Sequence, residues 1–209
     1  MALEYDKKGY PICDSDIWIK VCQIDKVELI FHKYNNTFIS DAVIQELHKK
    51  KTDNPEIFGH CLDKCHEANR NGKVIYLKLC DREVFDDKLK NDTIRQFAQY
   101  GILYNEKECR FITNKKNLGE MVSAIYASVH GLALILSDDK GTDSFVEKNY
   151  RYLQVIKLRD LLLFHGIGEQ EIKALISAAN RSCNYEPADD SAANNKSFSS
   201  LKKALKGVG

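Results

Sequence analysis

The sequence predicts an α/β protein built around a mostly parallel sheet, on the strength of three observations. Short apolar runs alternate along the chain with amphipathic helical patterns, the rhythm of repeated strand–helix–strand units. One run, residues 132–136, is continuously apolar, as a strand covered on both faces must be. Hydrophobic residues make up 44% and charged residues 29% of the 209, enough to build one core and still cover it with polar surface.

Residues 10–13 read as a first short strand, with Pro11 near its start, where a missing N–H is tolerated. Helical patterns follow at 17–23 and 26–32. A second short strand is expected at 37–39. Ser40 is placed to cap a helix that runs to about Lys50 and turns Val43, Ile44 and Leu47 inward. Residues 55–69 carry Ile57, Phe58, Cys61, Leu62 and Cys65 at helical spacing. Residues 74–79 alternate, which puts Ile75, Leu77 and Leu79 on one face of a strand. Helices are expected at 85–100 and 118–129, the second closed by Gly131. After the buried run come a strand at 152–158 and helices at 159–165 and 169–181, joined through Gly166 and Gly168.

These elements fill a domain over residues 1–183. Residues 184–197 are rich in Ala, Asn, Asp and Ser with little to bury, and read as a flexible linker. With the short basic segment at 198–205, flanked by Lys206, they make up a tail over 184–209. The formal net charge of +1 argues against coating nucleic acid through bulk charge, so a nucleic-acid partner would need a local basic patch. Residues 1–10 carry charges and no apolar run, and no stretch approaches the about 18 apolar residues that would span a bilayer. With seven scattered cysteines, best read as reduced thiols, the expectation is a cytoplasmic protein with no membrane partner.

Four acidic residues fall where strands end or helices begin. Asp14 follows the first strand, Glu46 lies in the helix after Ser40, Glu120 in the first turn of the helix from 118, and Asp139 after the buried strand. In a parallel sheet, ligands collect outside the carboxyl ends of the strands, where Asp14 and Asp139 would stand. Clustered carboxylates repel one another and hold protons unless a cation neutralises them. Such hard oxygen donors select Mg²⁺ or Mn²⁺. Each acid also has a plain structural reading. Asn117 and Glu120 have capping-box spacing, Glu46 suits a solvated helix face, Asp138 and Asp139 suit a turn before Gly141, and Asp14 with Asp16 suits a helix cap.

The stretches CDSDIWIKVCQID, FISDAVIQELHKK and NLGEMVSAIYASVHGLALILSDDKGTD resemble the ordered motifs of PIN-domain nucleases, and KLRDLLLFHGIGEQEIKALI resembles that family's closing segment. The resemblance implies a PIN-like fold, a three-layer α/β/α sandwich with a mostly parallel central sheet, together with Mg²⁺ or Mn²⁺ as cofactor and cleavage of RNA, less often DNA. It makes Asp14, Glu46, Glu120 and Asp139 the metal-binding and catalytic acids, with Ser137, Asp138 and Asp143 as supplements. Members of the toxin type act with an antitoxin-type protein partner, and a homodimer is a further expectation. Lys49, Lys50, Lys115, Lys116 and Lys140 flank the proposed elements and are candidates to guide phosphates, although charge runs are more often solvated helix ends. The chain is longer than compact toxin members, notably over residues 80–116 and the tail.

Two other functions compete with a nuclease. A haloacid-dehalogenase-type phosphatase would use Asp14-Ser15-Asp16 but leaves Glu46 and Glu120 without roles. A PIN-like binding module would keep the fold and hold RNA or a protein without cleaving. Zinc at His60-Cys61 and Cys65-His66 is disfavoured because both cysteines lie on an apolar stripe and no second pair follows. Trp18 reads as core rather than as a platform for a base.

Overall fold

A computed structural model describes residues 9–182. Five parallel strands form the central sheet: β1 (Ile12–Cys13), β2 (Thr37–Ser40), β3 (Val74–Leu77), β6 (Leu134–Leu136) and β7 (Gln154–Ile156), in the order β3-β2-β1-β6-β7. The helices are α1 (Ser15–Gln23), α2 (Glu28–Tyr34), α3 (Asp41–Asp53), α4 (Pro55–Arg70), α5 (Asp87–Gln99), α6 (Leu118–His130), α7 (Lys140–Asn149), α8 (Leu158–Phe164) and α9 (Glu169–Ser182). A two-stranded antiparallel hairpin, β4 (Tyr104–Asn105) with β5 (Arg110–Phe111), stands apart from the sheet. The basic tail and linker expected beyond residue 182 lie outside the described residues. Among the described residues no helix is long and apolar enough to cross a membrane.

The pleat explains the three layers. Successive side chains of a strand point to opposite faces, so each short strand feeds two cores at once. Cys13, Ile39, Val74 and Leu136 join the core built with α1, α3, α4, α8 and α9. Ile12, Phe38, Leu77 and Ile135, at positions of the opposite parity on the same strands, join the core built with α5, α6 and α7. The alternation read at 74–79 therefore selects a face correctly, with Leu77 and Leu79 buried in the second core and Ile75 packed at its margin. Ser40 caps α3 as its position predicts, its Oγ accepting from the Val43 N–H at 3.3 Å. Gly131 ends α6 with φ 66°, a left-handed conformation that costs glycine little.

Trp18 is core. It is fully buried, and its indole Nε1–H donates to the Cys61 carbonyl at 2.9 Å, which ties α1 to α4. Replacing Trp18 by Phe removes buried ring area and leaves that carbonyl without its donor. A cost of about 3 kcal/mol is expected, a fall in Tm of roughly 6–12 °C in a thermal melt. A variant melting with the parent would show that the ring does not hold the two helices together.

Two features differ from the expectation. Residues 140–149 form a helix where only a turn was expected, because Asp139 caps it: its Oδ1 accepts from Gly141 N–H and from Thr142 N–H. The hairpin was not anticipated either. It is held by Gln45 of α3, whose amide accepts from the Phe111 N–H at 2.9 Å and donates to the Phe111 carbonyl at 2.9 Å. One side chain thus satisfies both backbone groups of a residue on the edge of β5 turned away from β4.

Candidate metal centre

The chain runs outward from β1 to β3 and then crosses to β6 on the other side of β1. Adjacent parallel strands that leave in opposite directions open a crevice at their carboxyl ends. Asp14 follows β1 and Ser137-Asp138-Asp139 follows β6, so both reach this crevice. Asp14 is fully buried. Its Oδ1 accepts from the Ser15 N–H at 2.7 Å and its Oδ2 from the Ser137 hydroxyl at 3.2 Å.

Helices α3 and α6 bring the other two acids. They are tied by a 3.2 Å hydrogen bond between the hydroxyls of Ser40 and Ser123. Glu46 lies on α3 and Glu120 in the first turn of α6. Gly119 is the point of closest approach. A methyl group at its Cα would lie 2.9 Å from Glu46 Oε2 and 3.4 Å from Asp14 Oδ1. The two carboxylates therefore converge over a residue that has no side chain to keep them apart. Gly119 has no conformational reason to be glycine in the first turn of a helix, so its value is space.

The capping-box reading of Asn117 and Glu120 is not realised. Asn117 sits at φ 62° and makes no side-chain cap bond. Glu120 Oε2 is buried without a hydrogen-bond partner. An orphaned buried carboxylate oxygen is costly unless protonated or met by a ligand.

Electrostatics agree with the geometry. Burial pushes the Asp14 carboxyl well above the usual carboxylate range, and the charges of Asp16, Glu120 and Glu46 push it further. Burial likewise raises Glu120 to about 7, with Glu46, Asp139 and Asp16 adding to the rise. Asp139 spends its Oδ1 on the α7 cap and faces the Asn117 amide across Gly141, where an added Cβ would meet both. Its turn-and-cap reading is thus realised alongside its proximity to Glu120.

The supplementary residues divide. Ser137 belongs to the site. Its Oγ also meets the Thr142 hydroxyl at 3.0 Å and accepts from the Asp139 N–H at 3.2 Å. Asp138 points to Lys20, 2.7 Å away, and accepts from the Leu158 N–H at 2.8 Å. Asp143 pairs with Lys157 at 2.8 Å. Of the lysines, Lys50 pairs with Glu46 at 2.7 Å, while Lys49 donates to Asn114 and Lys115 to the Tyr100 carbonyl. Lys116 and Lys140 are exposed.

Asp16, which the sequence offers as part of a helix cap and of the phosphatase motif, also helps to build the site. Its Oδ2 accepts from the Asp138 N–H at 2.9 Å and lies 3.9 Å from Lys20 Nζ, so it fixes the loop that carries Asp139. Burial and Asp138 raise its carboxyl to about 6 against the pull of Lys20. The signal available in sequence was the i,i+4 spacing of Asp16 and Lys20 beside Asp14.

The cysteines of the zinc alternative pack in the first core. Cys61 and Cys65 are fully buried, burial pushes the Cys65 thiol up to about 12, and His66 Nδ1 is 2.8 Å from the Tyr76 hydroxyl. As the side chains stand, no group of three His, Cys, Asp or Glu among the described residues has the spacing of a metal's ligand shell. The acids around Gly119 nevertheless fit a hard cation by chemistry. They are oxygen donors, mutually repelling, with one buried oxygen unpartnered. No family model matches the chain, and no curated protein matches it significantly in sequence.

Proposed function

We propose that the protein is a metal-dependent nuclease that cleaves phosphodiester bonds, with RNA as its first substrate. The observation that carries this reading is the convergence of Asp14 and Glu46 over Gly119, with the orphaned Glu120 oxygen in the next residue. Asp14, Glu46, Glu120 and Asp139 would hold Mg²⁺ or Mn²⁺. Bound there, the ion supplies an activated water and offsets charge on the leaving oxygen.

The chain's own residues prepare that chemistry. Ser15 and Ser137 fix both oxygens of Asp14. Lys50 steadies one oxygen of Glu46 while the other faces Asp14 across Gly119. Asp16 and Lys20 hold the Asp138 backbone and side chain, and with them the approach of Asp139. The exposed Lys116 and Lys140 are free to meet phosphates by charge at the rim.

Cleavage of RNA with Mn²⁺, Mg²⁺ or chelator tests the reading, with a generic phosphate monoester as a parallel substrate. The parent should cut RNA only with metal. Saturating Mn²⁺ should raise its Tm by roughly 5–10 °C, because an ion bound only by the folded state shifts unfolding by mass action. Asp139→Asn keeps an oxygen that can cap α7, so it should fold as well as the parent. Its RNA cleavage should fall on the order of 10²–10³-fold and its gain in Tm with metal should shrink. Hydrolysis of the monoester alone would favour the phosphatase, and metal-independent RNA binding without cutting would favour a binding module.

A further inference from the structure

Six free cysteines lie among the described residues, and they fall into two groups. Cys13, Cys22, Cys61 and Cys65 are buried in the first core, where thiols pack as small apolar groups. Cys80 and Cys109 belong to neither core. They line one open cleft of about 400 Å³, together with Asp41, Gln45, His48 and Lys78.

The two arrive there from different elements. Cys80 follows β3, one residue after Leu79, whose N–H is held by Asp41 Oδ2 at 3.1 Å. Cys109 sits in the turn between β4 and β5 at φ 50°, exposed, in a hairpin whose position is set by the Gln45 amide on Phe111. Both cysteines line that cleft, and the Cys109 thiol donates to the Glu106 carbonyl at 3.6 Å, a surface contact that leaves its sulfur open to the cleft's solvent side. An exposed thiol sharing a cleft with a second one, with both backbones fixed independently, is an arrangement that packing does not require.

We propose that Cys80 and Cys109 are a thiol–disulfide exchange site that takes small disulfides of the glutathione class and closes to a reversible intramolecular bond. The exposed Cys109 thiolate attacks one sulfur of the small disulfide. That S–S bond breaks, a mixed disulfide forms on Cys109, and one small thiol leaves. The Cys80 thiolate then attacks the Cys109 sulfur, and the second small thiol leaves with the electron pair. The protein loses two hydrogens, and the small disulfide is reduced to two thiols. Cys80 raises the pKa of the Cys109 thiol, so the first step is slow near neutrality and quickens as pH rises. The bond would close a ring over residues 80–109, enclosing α5 and most of the hairpin. It would pin the hairpin to the carboxyl end of β3. This inference stands apart from the nuclease reading.

Incubating the reduced full chain with oxidised glutathione, followed by acid quench, intact mass and peptide mapping, tests it. The parent should lose two hydrogens, mapped to a Cys80–Cys109 link, and its Tm should rise by roughly 5–10 °C and fall back on reduction. Cys80→Ser should stop at one glutathionyl adduct on Cys109. Cys109→Ser should form neither the adduct nor the link. A stable adduct on Cys109 in the parent, a link to any other cysteine, or no reaction at either residue at pH 8.5–9 would overturn the proposal.

Discussion

Replacing Asp14 by Asn should cut metal-dependent RNA cleavage on the order of 10³-fold and, in chelator, should raise the melting temperature. The two effects have one cause. Asp14 is fully buried among Asp16, Glu46 and Glu120, so its ionised form is disfavoured in the folded protein. Its folded pKa lies above that of the unfolded chain, so the penalty is absent at acid pH and grows as pH rises. The amide keeps an oxygen for the Ser15 N–H, and Asn is as good a helix cap as Asp. What it lacks is the negative charge that a cation would use. Melting at pH 7.5 with and without Mn²⁺ checks this: the variant should lead in chelator and the parent should recover the difference with metal. A variant that melts lower in chelator would mean that Asp14 serves the fold by its charge, and would remove the central acid from the proposed site.

Glu120→Gln should flatten part of the pH dependence of stability. Glu120 gives up its proton near 4.5 when unfolded and near 7 when folded, chiefly because burial disfavours its charge. The folded state therefore holds the proton more tightly between these values. Its penalty is absent below about 4.5, grows as pH rises, and is complete above about 7. At about 1.4 kcal/mol per pH unit the full penalty is on the order of 3 kcal/mol. In chelator, the variant and parent should melt together near pH 4.5 and separate by roughly 6–12 °C at pH 8, the variant higher. With Mn²⁺, parent activity should climb through pH 7 as the site loses its proton, and the variant should stay low across the range. Parallel stability curves from pH 4.5 to 8 would show that Glu120 faces water and would take it out of the cluster.

Local pattern was enough for much of this architecture. Alternation at residues 74–79, the continuous run before Ser137, and the Ser40 cap are properties of a few neighbouring residues, and each appears in the fold. Helix α7 was hidden because Gly141 beside Asp139 reads as a turn, and the same residues serve a helix start when the carboxylate caps it. The hairpin was hidden for another reason. Its strands are two residues each, with no alternation to read, and its support comes from Gln45, 66 residues away. The site followed the same division. Positions at the ends of strands marked Asp14 and Asp139. The parts played by Asp16 and Gly119 depend on approaches between distant segments, to Asp138 and Glu46 respectively, that no local pattern encodes.

The Ser137 hydroxyl gives the site a sense of direction. It has one hydrogen to give and two lone pairs to fill. While Asp14 is ionised, that hydrogen must go to Asp14, and the lone pairs receive the Asp139 N–H and the Thr142 hydroxyl. A proton on Asp14 Oδ2, or an amide nitrogen in its place, turns the row around: position 14 donates, Ser137 accepts, and the Ser137 hydrogen swings to Thr142. Every heavy atom can stay where it is. The orientation of two hydroxyls is then a one-bit record of whether the buried carboxylate is charged, written at the first residues of α7 beside Asp139.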